Sequence, residues 1–149
     1  MLIRTHLALS VLAIFLFLPH VSSKFLFIIV CLVATFIPDI DSGFSTLGKR
    51  GVFRVLQVFT KHRGFIHSFT FCLLISLILA VFWPVASLGF FLGYGLHLFS
   101  DSFTREGITP FWPYNKTSSW RLKTGGRIET SIFVFLLLAD LFMLVVLFL

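Results

Sequence analysis

The chain has 149 residues, 58% of them hydrophobic and 12% charged, with twelve Lys plus Arg against six Asp plus Glu for a net charge of +6. A soluble domain carries roughly twice that share of charge. With a mean hydropathy of +1.02 there is too little polar material for a water-facing surface, so disorder, a collagen repeat and a coiled coil are excluded and an integral membrane protein is indicated.

Residues 3–21 read as a first membrane span whose continuous apolar part, 7–18, is short for a crossing unless its flanks are included. A competing reading is a secretory signal peptide, with Arg4 as the charged region and Val21-Ser22-Ser23 as a small-residue cleavage site. Residues 22–38 form the second span, after a turn holding Pro19, His20 and Lys24. A polar segment, 39–65, follows. Residues 66–83 and 85–103 are two more spans, made antiparallel by a tight turn at Trp83-Pro84. A second polar segment, 104–127, leads to the last span, 131–149, interrupted only by Asp140. The expected fold is therefore all-α: a polytopic membrane helical bundle of about five transmembrane helices, one domain over 1–149. Cys31 and Cys72 lie within apolar runs and read as small core residues. Trp83, Trp112 and Trp120 fall at or beyond the ends of apolar runs, where the headgroup level suits an indole.

Charge placement gives the topology. Lys49, Arg50, Arg54, Lys61 and Arg63 lie in the first polar segment, and Arg105, Lys116, Arg121, Lys123 and Arg127 in the second, which is ten of the twelve basic residues. With five spans both segments share one face with Arg4, and the positive-inside rule makes that face cytoplasmic. Topology alone accounts for such charge; anionic headgroups or a phosphate-bearing substrate would be a further use.

The eleven acids and histidines are less evenly spread than chance would leave them. His6 lies near the start of the first span, Asp39 and Asp41 end the second, His62 and His67 precede or open the third, His97 and Asp101 close the fourth, and Glu129 opens the fifth. In a five-span topology these converge at one depth; only His20, Glu106 and Asp140 fall outside. Imidazole nitrogens mixed with carboxylate oxygens suit zinc, and also manganese or iron. His97 and Asp101, four apart, share a helical face. Asp39 and Asp41, after Pro38, reach one site if that segment is extended or a turn. Taken singly, each residue has a plainer use: a solvated interfacial histidine, a helix cap, or in Glu129 a complement to the helix dipole. Their recurrence at one depth is what points to function. Asp140, eleven residues after Glu129, lies on the same helix face about 16 Å deeper and is expected to pack against other helices.

Pro38-Asp39-Ile40-Asp41, His62-Arg63-Gly64 with His67-Ser68, the run from Gly93 through His97 to Asp101, and Thr104 with Gly107 and Phe111-Trp112-Pro113 together resemble the YdjM-type, LexA-regulated family of inner-membrane proteins. The likeness runs from Thr5-His6 to Glu129. It implies a helical membrane protein with a metal-dependent hydrolase assignment, distantly related to zinc-dependent phospholipase C and single-strand nuclease folds. That relation favours phosphoester substrates.

The expected ligands are His6, Asp39, Asp41, His62, His67, His97, Asp101 and Glu129, around one or two divalent ions, zinc first and manganese second. A metal-activated water would attack, with Asp39 or Asp41 as general base and Arg63 beside the phosphate oxygens; Arg105 and Lys123 are weaker partners for the headgroup. The expected partners are membrane lipids and a lipid or phosphoester substrate. Ser68 stands in no GxSxG elbow, and no P-loop, Rossmann or nucleic-acid motif is present. The rivals are a metal transporter or sensor that uses the same ligands without catalysis, and a regulatory membrane protein whose basic loops recruit a soluble partner.

Overall fold

The structure is a computed structural model that describes residues 1–41 and 65–149, less the side chains of Ile40, Asp41 and Phe148. Among the described residues five α-helices form in chain order: α1 (Ile3–Phe17), α2 (Lys24–Phe36), α3 (Phe69–Phe82), α4 (Pro84–Ser102) and α5 (Arg127–Phe148). The described residues contain no strand; two isolated bridges, Thr104 with Leu122 and Ile108 with Ser118, fold the α4–α5 connection onto itself.

Local chemistry sets the boundaries. Pro19 starts a 3-10 turn after α1. Ile37 is still helical in φ and ψ, but Pro38 has no N–H to give the Ala34 carbonyl, and α2 ends in a second 3-10 turn, Ile37–Asp41. A turn is one of the two forms, extended or turn, that the sequence allowed here. Ser68 caps α3, its hydroxyl accepting from the Phe71 N–H at 3.2 Å. Pro84 opens α4, where a missing N–H costs no helical hydrogen bond, so α3 and α4 form the expected hairpin.

Helix α4 is the centre of the bundle: it packs against α2 on one side and α3 on the other and touches α1, which in turn carries α5 along its flank. The approach of α4 to α2 depends on glycine. A Cβ on Gly93 would lie 2.1 Å from the Cys31 carbonyl oxygen, and one on Gly89 3.0 Å from that of Phe27. Spaced four apart, the two glycines give α4 a smooth stripe against the α2 backbone, a close-packing device of membrane helices. Between α1 and α2 the contact is polar: Ser10 and Thr35 hydroxyls meet at 2.8 Å, and Thr35 donates onward to the Cys31 carbonyl. Tyr94, Leu98, Phe90, Ala34, Cys72 and Ile108 fill the space between α2, α3 and α4. Both cysteines are free and buried, as their apolar settings indicated.

The five expected helices are all present, but among the described residues only Ile3–His20 and Arg127–Leu147 are long and apolar enough to cross a membrane. This corrects the expectation of about five. Helices α2 and α3, of 13 and 14 residues, extend about 20 Å against a hydrocarbon core of about 30 Å. Helix α4 has the length, but with His97, Ser100 and Asp101 on its buried face it is less apolar than a membrane span. Apolar side chains are exposed on α5, among them Phe135, Leu138, Leu141 and Phe142, and on α3, among them Leu77, Ile78, Val81 and Phe82.

Candidate metal centre

His97 and Asp101 stack on one face of α4 as their spacing requires, with His97 Nε2 3.7 Å from Asp101 Oδ2. Around them three other segments converge. From α1, the His6 ring lies flat on His97 with centroids 3.9 Å apart, and its Nε2 is 3.3 Å from Asp101 Oδ1. From the entry to α3, His67 meets the His97 ring edge-on and places Nε2 3.4 Å from Asp101 Oδ2. From the turn after α2, Asp39 Oδ1 lies 3.8 Å from His97 Nε2. His6, His97 and Asp101 are buried, with ligand-capable atoms within 4.8 Å of one another, so the three could hold a metal ion.

The far side of each ring fixes which nitrogen faces the centre. His97 Nδ1 is 2.8 Å from the Thr35 carbonyl and His67 Nδ1 3.2 Å from that of Pro38. A carbonyl can only accept, so each Nδ1–H donates. His6 Nδ1 lies 2.8 Å from Ser100 Oγ, which also reaches the Leu96 and His97 carbonyls at 2.9 Å. The hydroxyl has one proton to give; spent on a carbonyl, it leaves the oxygen to accept from His6 Nδ1. All three histidines thus turn Nε2 inward, and all three Nε2 atoms are buried without a hydrogen-bond partner. An outer shell that holds Nδ1 and frees Nε2 is how ligating histidines are oriented, and the donor set fits zinc or manganese. The Met1 ammonium also pairs with Asp101 Oδ1, so a cation already faces this carboxylate. Burial raises the Asp39 carboxyl above the ordinary carboxylate range, with His6 opposing the shift and Asp101 adding to it.

Glu129 is fully buried but differently engaged. Its Oε1 accepts from the Leu2 N–H at 2.6 Å and the Thr5 hydroxyl at 3.1 Å, and its Oε2 from the Gly125 N–H. It ties the start of α1 to the start of α5 and so positions His6. The Asp41 side chain, His62 and Arg63 lie outside the described residues. Arg105 and Lys123 are exposed, Arg105 Nε donating to the Arg121 carbonyl at 3.4 Å. Asp140, half-buried, lines a groove between α1 and α5 that Arg4 and Phe133 also line, and its Oδ1 is buried without a hydrogen-bond partner. A chain cut at Val21-Ser22-Ser23 would lose His6 and with it one third of the imidazole set.

The outer shell was not read from the sequence. Ser100, three residues after His97 on the same helix, carried a usable signal; the Thr35 and Pro38 carbonyls carried none. Ser100→Ala should weaken metal binding about 10- to 100-fold by releasing His6 Nδ1, which isothermal titration of the metal-free protein would measure.

The model of the YdjM inner membrane protein family matches residues 1–148. The chain belongs to that family. The match takes in His6, Asp39, His67, His97, Asp101 and Glu129, and with the apolar α1 and α5 it makes this a membrane protein. Comparison with curated proteins and with solved structures returned no match.

Proposed function

We propose that this protein is a membrane-bound, metal-dependent hydrolase that cleaves a phosphoester or related bond in a lipid or membrane-proximal substrate, with its site on the cytoplasmic side of the inner membrane. One observation carries the metal: three buried, unpartnered Nε2 atoms facing the carboxylates of Asp101 and Asp39. Lone pairs on nitrogen and oxygen that face each other out of water repel and call for positive charge among them; the Met1 ammonium supplies one charge at Asp101 Oδ1, and the three Nε2 atoms still lack a donor. A divalent ion held by His6, His97 and Asp101, with His67 and Asp39 beside them, answers that need.

When bound, such an ion supplies a Lewis acid that lowers the pKa of a coordinated water towards neutrality. The side chains divide the remaining work. Asp101, with a side-chain exposure of 6%, is enclosed by three imidazoles and serves to hold charge; Asp39, at 23%, is the carboxylate nearer solvent and the better placed to accept a proton. Burial raises its pKa, which makes it a stronger base than an exposed carboxylate. Exposed Arg105, Lys116, Arg121, Lys123 and Arg127 give the surrounding surface a positive field for a phosphate-bearing substrate. The positive-inside rule gives the orientation and the multi-pass arrangement its sides.

A non-catalytic metal site is the alternative favoured by one feature, the complete burial of the His6 and His97 side chains, since structural sites are closed and catalytic ones keep an open position. Elemental analysis of the purified protein beside His97→Ala, followed by a hydrolysis screen on phospholipids, tests both. Near-stoichiometric zinc or manganese in the wild type, lost in the variant, and phosphoester turnover are expected. A metal-free wild type defeats the metal centre, and a loaded protein that cleaves nothing leaves the non-catalytic reading. Because ligating imidazoles must be unprotonated, metal occupancy should fall on acidification, measured by equilibrium dialysis at stepped pH.

A further inference from the structure

A groove of about 390 Å³ runs between α1, α4 and α5, and its composition changes along its length. At one end it is lined by Met1 and Ser100, the residues that touch Asp101 and His6 of the metal centre, and by Arg121 and Trp120 from the α4–α5 connection. Towards the other end the lining is Leu9 of α1 with Ile132 and Leu136 of α5. Arg121 is the one charged side chain among the lining residues. From Ile128 to Leu136 the helix advances about 12 Å.

We infer that this groove seats one hydrocarbon chain of a membrane lipid, with the lipid's phosphate at Arg121 beside the metal centre. The inference rests on the hydrolase reading and names its substrate class: an anionic amphiphile presented from the bilayer. Three observations converge on it. The volume falls within the range of ligand-binding clefts, and the lining is apolar with a single polar end. The walls α1 and α5 are the two helices able to cross a membrane, so a lipid chain enters sideways without leaving hydrocarbon. Arg121, whose guanidinium suits the planar pairing with phosphate oxygens, lines the groove together with Met1 and Ser100, which touch Asp101 and His6 of the metal centre. A lipid bound this way has its tail along Leu9, Ile132 and Leu136 and its phosphoester at the buried ligands.

The test uses full-length protein reconstituted in phosphatidylglycerol vesicles containing a trace of the same lipid with a photoactivatable diazirine in its acyl chain. Crosslinked residues are mapped by mass spectrometry, and metal content serves as the check on folding. Labelling is expected to concentrate at Leu9, Ile132 and Leu136 over the exposed Leu141 and Phe142. Leu136→Trp, which fills the groove, should cut it about tenfold, the effect of losing a well-packed apolar contact, and Ile132→Trp provides a second plug should the first disturb the bundle. Arg121→Gln should reduce labelling while leaving metal content unchanged. Even labelling over all of α5, or groove labelling indifferent to both plugs, overturns the proposal. Groove labelling in a protein that hydrolyses no phosphoester supports the lipid seat and defeats the hydrolase reading; hydrolysis without groove labelling does the reverse.

Discussion

Asp101→Asn is expected to strip the protein of its metal while leaving its helices in place. The substitution keeps the shape of the side chain but removes the negative charge that His6, His67 and His97 all face, at 3.3, 3.4 and 3.7 Å from its two oxygens. It also presents an NH₂ group to a centre that needs acceptors. Metal affinity should fall by more than about a hundredfold, beyond what loss of an outer-shell contact brings, and hydrolysis should fall with it. Asp39→Asn makes the informative comparison, because Asp39 Oδ1 lies 3.8 Å from His97 Nε2 and Asp39 is the more exposed carboxylate. A proton acceptor can be removed without emptying a site, so this variant should keep most of its metal and lose turnover. Metal content and initial rates measured on both proteins separate the two roles. Equal loss of metal in both would make Asp39 a ligand of the same standing and leave the base unassigned.

The contrast between those carboxylates also shows how far the sequence could be read. His97 and Asp101 were legible because an i,i+4 pair on a helix has only one geometry. His6 and His67 were legible through topology: apolar runs of defined length put their ends at one level, and the structure brings both within 3.4 Å of Asp101. Glu129 belongs to the same layer, yet its oxygens are taken by the Leu2 and Gly125 amides and the Thr5 hydroxyl. Periodicity gives depth along a helix, and it does not say which backbone donors a loop will bring to that depth. Span number was overread for a related reason. An apolar run shows that a segment avoids water, and it does not say that the helix it forms is long enough to cross: α2 and α3 have 13 and 14 residues. The outer shell was hidden because two of its three members are carbonyl oxygens, which every residue owns.

Gly93→Ala should destabilise the bundle by about 3 kcal/mol, the upper part of the usual cost of overpacking, and empty the metal centre at the same time. A methyl at this position would stand 2.1 Å from the Cys31 carbonyl oxygen and 2.9 Å from its carbon, both backbone atoms that no rotamer change can move aside. Helix α2 would have to shift as a body. Thr35 lies one turn beyond Cys31 on that helix, and its carbonyl holds His97 Nδ1 at 2.8 Å, so a shift of α2 releases the ring that stacks on His6. Gly95→Ala, two residues along the same helix, is the control: its methyl would meet only Cys72 Sγ, at 3.9 Å, and replacing a helical glycine by alanine should be neutral or gain up to about 1 kcal/mol. Thermal unfolding in detergent with parallel metal analysis checks the pair. A Gly93→Ala protein that melts with the wild type and keeps its metal would mean that the α2–α4 contact does not organise the site.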